Sequence, residues 1–355
     1  MGRPIRCLVA MGLALAYAPA ASAQKPEAIE LDSLERRARI DSADADLQYD
    51  LGMGYVWARR YDEAEQAFRR AVAIEPRLAP AHLGLSYLPY LRSEKLWKAL
   101  MKGKVPREQQ PVVEEARRHR RDAYMIDPMV NSGLVIMPWW VRAELSEKEK
   151  SKMPPGFFWY RGITLARAGD WYRAQTELEE ALARISELAE ESIDETLPLA
   201  VNEVRYSIAV LEIRQGKLSA AARRLREVLT HDIGMYMAHV RLAEIHERNG
   251  AWRSAILERR RALEVAPDDP SLVYDLGVTL ARAGVLYEAD TVLTRALELN
   301  ERNPRIPRMA GLVRAQLGDA GRARMALERF LAIAPSRFEA EIEEARARLA
   351  TLAQQ

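Results

Sequence analysis

The side chains best suited to bind a metal ion are the five histidines of the chain, His82, His119, His231, His239 and His246. His239 and His246 lie seven residues apart and would share one face of a helix, and His231 could join them as a third ligand. Histidines that pack in a core or lie on a surface can show the same spacing. We interpret the five histidines as packing or surface residues, and we predict no metal site and no cofactor.

Residue patterns typical of catalysis do not occur in the sequence, which contains no GxSxG, HExxH or Walker motif. The stretch "LGMGYV" contains Gly52 and Gly54, but it falls within a helical pattern and lacks the strand that precedes a phosphate-binding loop. Carboxylate pairs such as Glu179-Glu180 fit solvated helix faces. We therefore predict that the protein is not an enzyme and has no catalytic residues.

The first 23 residues have the pattern of an export signal. Arg3 and Arg6 give a basic start, an apolar run follows from Leu8 to Ala18, and Ala21-Ser22-Ala23 precedes a cleavage point. The sequence therefore predicts an exported chain, either periplasmic or secreted. The formal net charge of +2 gives no indication of nucleic-acid binding, which calls for a concentrated basic face.

A recurring pair of glycine and alanine predicts the fold. Five glycines are each followed, five residues later, by an alanine; they are Gly169, Gly216, Gly250, Gly284 and Gly318, with Ala174, Ala221, Ala255, Ala289 and Ala323. Both series advance by 47, 34, 34 and 34 residues. Glycine can end a helix in the left-handed conformation, and alanine lets a second helix approach the first closely. The pattern predicts helix–turn–helix units that stack on one another.

Residues 45–78 carry the fullest version of this pattern, with Leu51-Gly52-x-x-Tyr55, then Ala64-x-x-x-Phe68, Ala71 and Pro76. The pattern resembles the tetratricopeptide repeat (TPR) family. This resemblance implies an all-α solenoid, a right-handed superhelix of about seven helix pairs with a C-terminal capping helix. It extends over most of the chain and leaves the partner open, because a fold does not fix a function.

The repeats and their interruptions predict the organisation of the chain. The segments are a signal peptide at 1–23, a leading segment or helix at 24–44, N-terminal repeats at 45–130 with an insert at 89–111, a second insert at 131–154, C-terminal repeats at 155–337 and a capping helix at 338–355. We expect Ser336 to cap this last helix and Glu339 to complete a capping box.

The resemblance also implies that positions 2, 5, 9, 12 and 13 of each repeat line an inner groove. Position 5 supplies mainly aromatic residues and position 13 mainly arginines. The predicted groove residues are Tyr49, Trp57, Trp159, Arg167, Tyr206, Arg214, Arg248, Tyr274 and Arg282. Arginine forks bind carboxylates at two points, so we predict protein or peptide partners with acidic groups. Arginine near a helix C-terminus is also favourable for dipole reasons alone, and this alternative stays open.

A second candidate surface lies in the two inserts, which hold seven of the nine lysines. Its residues are Trp97, Lys98, Trp139 and Trp140. The lysines around Trp97 suggest an amphipathic basic helix, which could contact a membrane or an acidic partner, or could pack on the repeats with its lysines outward.

Three functions follow from these surfaces. The first is a non-catalytic exported scaffold that binds partners in the groove. The second is an accessory subunit that docks on a membrane or envelope complex through residues 89–157. The third is an enzyme or carbohydrate binder that uses the tryptophan cluster. The sequence favours the first.

Overall fold

The computed structural model describes residues 31–130, 146–191 and 201–353. The predicted signal at 1–23 and the pair Trp139 and Trp140 lie outside the described residues. Every regular element within them is helical, which confirms the all-α prediction. None of these helices combines the length and the apolar character needed to cross a membrane. The chain divides into two compact units; unit 1 includes Ala79–Ile233, and unit 2 joins Ala28–Leu78 to Gly234–Gln355.

The helices follow one another closely along the chain. In order they are α1 (Leu31–Ile40), α2 (Ala45–Trp57), α3 (Tyr61–Ile74), α4 (Ala79–Arg92), α5 (Glu94–Met101), α6 (Gln110–Ile126), α7 (Glu147–Lys150), α8 (Pro155–Arg167), α9 (Trp171–Glu191), α10 (Val201–Arg214), α11 (Leu218–His231), α12 (Tyr236–Arg248), α13 (Trp252–Val265), α14 (Pro270–Arg282), α15 (Leu286–Leu299), α16 (Arg305–Gln316), α17 (Ala320–Ile333) and α18 (Glu339–Leu352). Short 3-10 turns precede α6 and α18.

Most of these helices form antiparallel pairs. The described residues contain seven pairs, namely α2 with α3, α4 with α6, α8 with α9, α10 with α11, α12 with α13, α14 with α15 and α16 with α17. Helix–turn–helix stacking and the number of pairs are thus as the sequence predicts. The right-handed sense of the array and the domain boundaries stay predictions.

The repeated glycines and alanines have the backbone conformation and the burial that the sequence predicts. The five glycines end the first helix of their pairs at positive φ, with values of 80°, 76°, 68°, 78° and 80° in chain order. The five alanines that follow are all 0% exposed, because each lies between the two helices of its pair. A larger side chain there would push the helices apart.

The first repeat departs from this rule at Arg59. Arg59 lies five residues before the buried Ala64, which is the place of the glycine in the later repeats. Its φ is 60°, and the turn is closed by a 2.8 Å bond from the backbone N–H of Arg60 to the carbonyl of Tyr55. A left-handed conformation costs about 1–2 kcal/mol for a residue with a side chain. The first turn is therefore strained.

The predicted capping helix exists, but its start differs from the expectation. α18 covers the last pair by packing Ala345 and Leu352 against the core around Phe330. The helix begins at Glu339 after a 3-10 turn, and no side chain caps it. Ser336 is instead bound to Asp41, whose carboxylate accepts from the Ser336 hydroxyl at 2.7 Å. The predicted capping box is wrong because this distant carboxylate takes the hydroxyl.

Candidate partner-binding surfaces

Two predicted groove arginines in unit 1 hold a segment of the chain itself. Arg214, at the end of α10, donates from Nη2 to Oδ1 of Asp127 at 2.7 Å. Arg167, at the end of α8, donates from Nε to the backbone carbonyl of Met129 at 3.1 Å. Asp127 is the residue at which α6 ends, so both partners belong to the non-helical segment that follows α6. The two arginines bind one carboxylate and one backbone carbonyl of a turn, which is closed by a 3.0 Å bond from the backbone N–H of Val130 to the carbonyl of Asp127.

The same segment is anchored in the core beyond these contacts. Met129 and Val130 are 3% and 2% exposed, and the carboxylate of Asp127 accepts a 2.9 Å bond from the backbone N–H of Met129. Residues 127–130 are therefore packed into unit 1 and do not project from its surface. Part of the predicted groove surface of this unit is occupied by its own chain.

The two predicted aromatic residues of unit 1 differ in exposure. Trp159 is half-buried; its indole N–H donates to Ser207 at 3.1 Å, and its ring meets Tyr124 edge-on at 5.1 Å. Tyr206 is only 2% exposed and belongs to the core. This corrects its placement on the groove surface. The physical reason is that α10 packs against α8, α9 and α11, so most of its faces are buried.

In unit 2 the predicted arginines face solvent. Arg248 is exposed at the end of α12, and the side chain of Arg282, at the end of α14, is 61% exposed. Arg282 lies 3.8 Å from Glu247, whose carboxylate is also bound by Arg259 at 3.0 Å and by the hydroxyl of Thr279 at 2.7 Å. Because Glu247 is held by these inner partners, Arg282 keeps most of its guanidinium accessible.

The predicted aromatic residues of unit 2 are partly accessible. Trp57 is 42% exposed at the end of α2. Tyr49 and Tyr274 are half-buried, and the ring of Tyr49 packs 5.7 Å from that of Phe68. Burial and then the charge of Asp275 raise the pKa of Tyr274 to about 12. The hydroxyl of Tyr274 therefore stays protonated even in alkaline solution above pH 10, and it can donate a hydrogen bond.

In unit 2, the turn that follows α3 is bound to residues of α14. Arg77 donates from Nη2 to Oδ2 of Asp275 at 2.5 Å and to the carbonyl of Ser271 at 3.4 Å. Ser271 occupies position 2 of the repeat at 270–303, one of the positions that the resemblance assigns to the groove. Arg259 donates to the same Asp275 oxygen at 3.0 Å. Asp275 is thus shared by two arginines, one from the N-terminal repeat and one from α13.

Further polar contacts fix this turn against the loop between α15 and α16. The side-chain amide of Asn300 donates to the carbonyls of Ala73 and Ile74 at 3.2 and 3.0 Å. Glu75 pairs with Arg305 at 3.1 Å. The C-terminal end of α3 is consequently held by side chains more than 200 residues away in sequence. No local sequence motif predicts these contacts.

The start of α2 is held in a comparable way by the turn before α18. Arg337 pairs with Asp44 at 3.0 Å and also contacts Asp46. Asp44 is the N-cap of α2, because its carboxylate accepts from the backbone N–H groups of Asp46 and Leu47. One carboxylate therefore both caps a helix and ties the N-terminal repeat to the C-terminal end of unit 2.

The second candidate surface is only partly accessible. Trp97 is 8% exposed and meets Tyr90 edge-on at 6.2 Å, so it packs in the core of unit 1 and is not a surface residue. Leu96 beside it is 4% exposed. Lys98 is 64% exposed and pairs with Glu94 at 2.5 Å. Helix α5 thus packs its apolar side on α4 and turns its lysines to solvent, which is one of the two arrangements that the sequence left open.

The histidines His231, His239 and His246 differ in burial: they are exposed, buried and half-buried. His239 is buried, and its Nδ1 lies 2.6 Å from Oε2 of Glu258. His231 is exposed at the end of α11 in unit 1, whereas His239 and His246 belong to unit 2. The short contact with Glu258 gives His239 a structural role in the pair of α12 and α13.

The fold can now be assigned from the chain's own geometry. Four successive helix pairs, from α10 with α11 to α16 with α17, recur at 34-residue steps, each with a left-handed glycine after its first helix and a fully buried alanine in its second. The chain has the tetratricopeptide-repeat fold. No protein-family model matches the sequence, and no curated protein matches it.

Solved structures of other repeat proteins give partial matches. One is a MamA fragment described as residue 41 to the end, from Desulfovibrio magneticus RS-1, with 17% identity, 50% of this chain and 92% of that chain covered, and a TM-score of 0.41. Another is YrrB, described as a TPR protein with an unusual peptide-binding site, with 17% identity, 53% and 90% covered, and a TM-score of 0.40. These scores are too low to carry a conclusion about this chain.

Proposed function

We propose that this TPR protein is a non-catalytic exported scaffold that binds protein or peptide partners through the arginine-bearing ends of its first helices. The observation that carries the proposal is the pair of contacts in unit 1. There, Arg214 binds the carboxylate of Asp127 and Arg167 binds the carbonyl of Met129. Arginines at these helix ends can therefore hold a non-helical segment of polypeptide by a backbone carbonyl and an acidic side chain.

The accessible counterparts of these arginines are in unit 2. Arg248 and Arg282 end the first helices of two successive repeats and both face solvent. An arginine fork prefers a planar carboxylate, so the partner should present aspartate, glutamate or a free C-terminus. Two such arginines on neighbouring repeats would favour a peptide with more than one acidic group.

A display experiment can test this proposal. The immobilised full-length chain is used to select from a random displayed peptide library, and the same selection is repeated with the double variant Arg248→Glu with Arg282→Glu. The matched control is Arg253→Glu with Arg302→Glu, which changes the charge equally at two other exposed arginines of unit 2. We expect acidic peptides to be enriched by the unaltered chain and by the control, and to be lost with the first double variant.

A different result would contradict the proposal. If acidic peptides are not enriched, or if both double variants lose them equally, the arginines do not form a specific peptide site. Far-UV circular dichroism of each variant checks that the helices are retained. The single variant Asp127→Asn adds a further arm, since it weakens the internal partner of Arg214 and should increase the yield of acidic peptides.

Export is a separate part of the proposal and has its own test. It rests on the basic start, the apolar run and the small residues up to Ala23. We expect the chain expressed in a bacterium to be found in the periplasmic fraction with Gln24 as its first residue. A chain lacking residues 2–23 is the control and should stay with the cytoplasmic fraction. An intact N-terminus in the cytoplasm would refute export.

The docking alternative has one observation in its favour. Lys95, Lys98, Lys102 and Lys104 line one surface depression of unit 1 together with Glu94 and Ala99. This surface suits an acidic partner, and it no longer includes Trp97. Reversing Lys95 and Lys98 to glutamate should abolish association with such a partner while leaving the peptide selection above unchanged.

A further inference from the structure

A cluster of metal-ligating side chains lies in unit 1, away from the arginines described above. It consists of His82 on α4 with His119 and Asp122 on α6, and their potential ligand atoms all lie within 4.8 Å of one another. The Nδ1 atoms of the two histidines are 3.0 Å apart, and Oδ2 of Asp122 lies 3.9 Å from Nδ1 of His82. Neither His82 nor His119 belongs to the group of His231, His239 and His246 that the sequence spacing could bring together.

The fold brings these residues together by simple means. His82 is in the first turn of α4, and α4 is paired with α6, so the start of one helix lies beside the later turns of the other. His119 and Asp122 are three residues apart on α6, and Glu115 precedes His119 by four. All three therefore share the face of α6 that is turned toward His82.

We propose that His82, His119 and Asp122 bind one divalent transition-metal ion, with Zn²⁺ as the best fit. Imidazole nitrogen and carboxylate oxygen are ligands that zinc takes, and sites with three protein ligands leave the fourth position to water. Two nitrogens on a tetrahedral zinc with bonds of 2.0–2.1 Å would be about 3.3 Å apart. The observed 3.0 Å between the two Nδ1 atoms is close to this separation.

The exposure of the three side chains suits an ion that enters from solvent. The side chain of His82 is 9% exposed and forms the inner wall, whereas that of Asp122 is 43% exposed. A rotation of the Asp122 side chain can shorten its distance to His82 from 3.9 Å to the separation that zinc requires. The open side of the cluster leaves room for one or more water ligands.

A fourth residue has the position of an outer-shell partner. Oε1 of Glu115 lies 3.9 Å from Nε2 of His119, the ring nitrogen opposite to the proposed ligand atom. Histidines that bind metals through one nitrogen generally donate the other N–H to a carboxylate or carbonyl, which fixes the tautomer. Glu115 is therefore a positioning residue, which orients His119 without contacting the ion.

Metal titration of the full-length, untagged chain tests the proposal. Zn²⁺ binding is measured in competition with a chromophoric chelator, and Co²⁺ substitution reports the geometry through its visible absorption. We expect one ion per chain and the intense bands of a tetrahedral or five-coordinate Co²⁺ site with nitrogen and oxygen ligands. His119→Gln and Asp122→Asn should each abolish the bands, while Glu115→Gln should keep them and weaken binding roughly 10- to 100-fold.

The control is His231→Gln, which removes an exposed histidine outside the cluster and should change nothing. Because His82 is buried, the two α6 variants are used in its place, and their thermal unfolding midpoints without metal check that the fold is kept. The proposal is overturned if the unaltered chain binds no Zn²⁺ or Co²⁺. It is equally overturned if His231→Gln reduces binding as much as His119→Gln does.

Discussion

Removal of the Arg77 side chain should weaken the attachment of the N-terminal repeat to the later repeats of unit 2. Its guanidinium donates to Asp275 at 2.5 Å and to the carbonyl of Ser271 at 3.4 Å. The side chains of Arg77 and Asp275 are 16% and 19% exposed, so solvent screens this pair only weakly. Arg77→Ala removes the charged contact and leaves the polar contacts of Asn300 and Glu75 at the C-terminal end of α3.

The size of the effect follows from what remains after the substitution. A hydrogen bond to a charged group contributes about 1.5–3 kcal/mol, and a buried ion pair that loses one partner costs more because the other charge is stranded. Asp275 is not stranded here, since Arg259 still donates to it at 3.0 Å. We therefore expect the lower part of the range, about 2 kcal/mol, which corresponds to about 30-fold in the opening equilibrium of the repeat.

Hydrogen exchange measured by mass spectrometry is the appropriate assay. A repeat array opens in parts, so a global unfolding curve would not isolate this contact. We expect the amides of residues 61–78 to exchange about 30-fold faster in Arg77→Ala, with residues 79–130 unchanged. The control is Arg69→Ala, whose exposed pair with Glu65 on the same helix contributes less than about 0.5 kcal/mol. Unchanged exchange in 61–78, or an equal increase with the control, would refute the reasoning.

Three other predictions follow from local geometry. Arg59→Gly should raise the free energy of unfolding by up to about 1 kcal/mol, because relief of the strain at positive φ exceeds the entropy cost of glycine. A lower thermal unfolding midpoint would contradict this. Gly277→Ala should lower the free energy of unfolding, measured in urea, by about 1 kcal/mol. The new Cβ would lie 2.7 Å from Cγ of Leu293, and the cost of this overpacking exceeds the gain in helix propensity. A gain in stability would show that the two helices can move apart. Burial alone would raise the pKa of Glu258, but the hydrogen bond from His239 and nearby charges lower it below its ordinary value. Its charged form therefore stabilises the fold above the unfolded pKa of about 4.3, and this contribution is lost as pH falls through the lower folded pKa. Glu258→Gln should lose less stability than the unaltered chain between pH 6 and pH 3, and parallel pH curves would count against the pair.

The sequence predicted those parts of the fold that depend on local and periodic constraints. Gly284 and Ala289 illustrate this, because a left-handed turn and a close approach of two helices each admit few residue types. Such constraints recur in every repeat and are therefore visible as a period. The all-α pairs, the number of pairs and the terminal helix could all be read in this way.

Contacts between distant segments could not be read from the sequence. Tyr206 has the position of a groove residue, yet helices on several sides of α10 bury it. Ser336 has the sequence of a helix cap, yet Asp41, 295 residues away, takes its hydroxyl. Both outcomes depend on which segments pack together. The metal cluster has the same origin, since only pairing of α4 with α6 brings His82 to His119.

The internal partner of Arg214 bears directly on where an external peptide can bind. Asp127 belongs to the same chain and is held beside Arg214, so it competes at an effective concentration that for short tethers is on the order of millimolar. An external carboxylate of similar intrinsic affinity must exceed that concentration to displace it. Arg248 and Arg282 face solvent and have no comparable competitor among their described contacts, apart from the 3.8 Å approach of Glu247 to Arg282. A partner at ordinary cellular concentration should therefore bind first at unit 2, and unit 1 should bind only a ligand that also displaces residues 127–130.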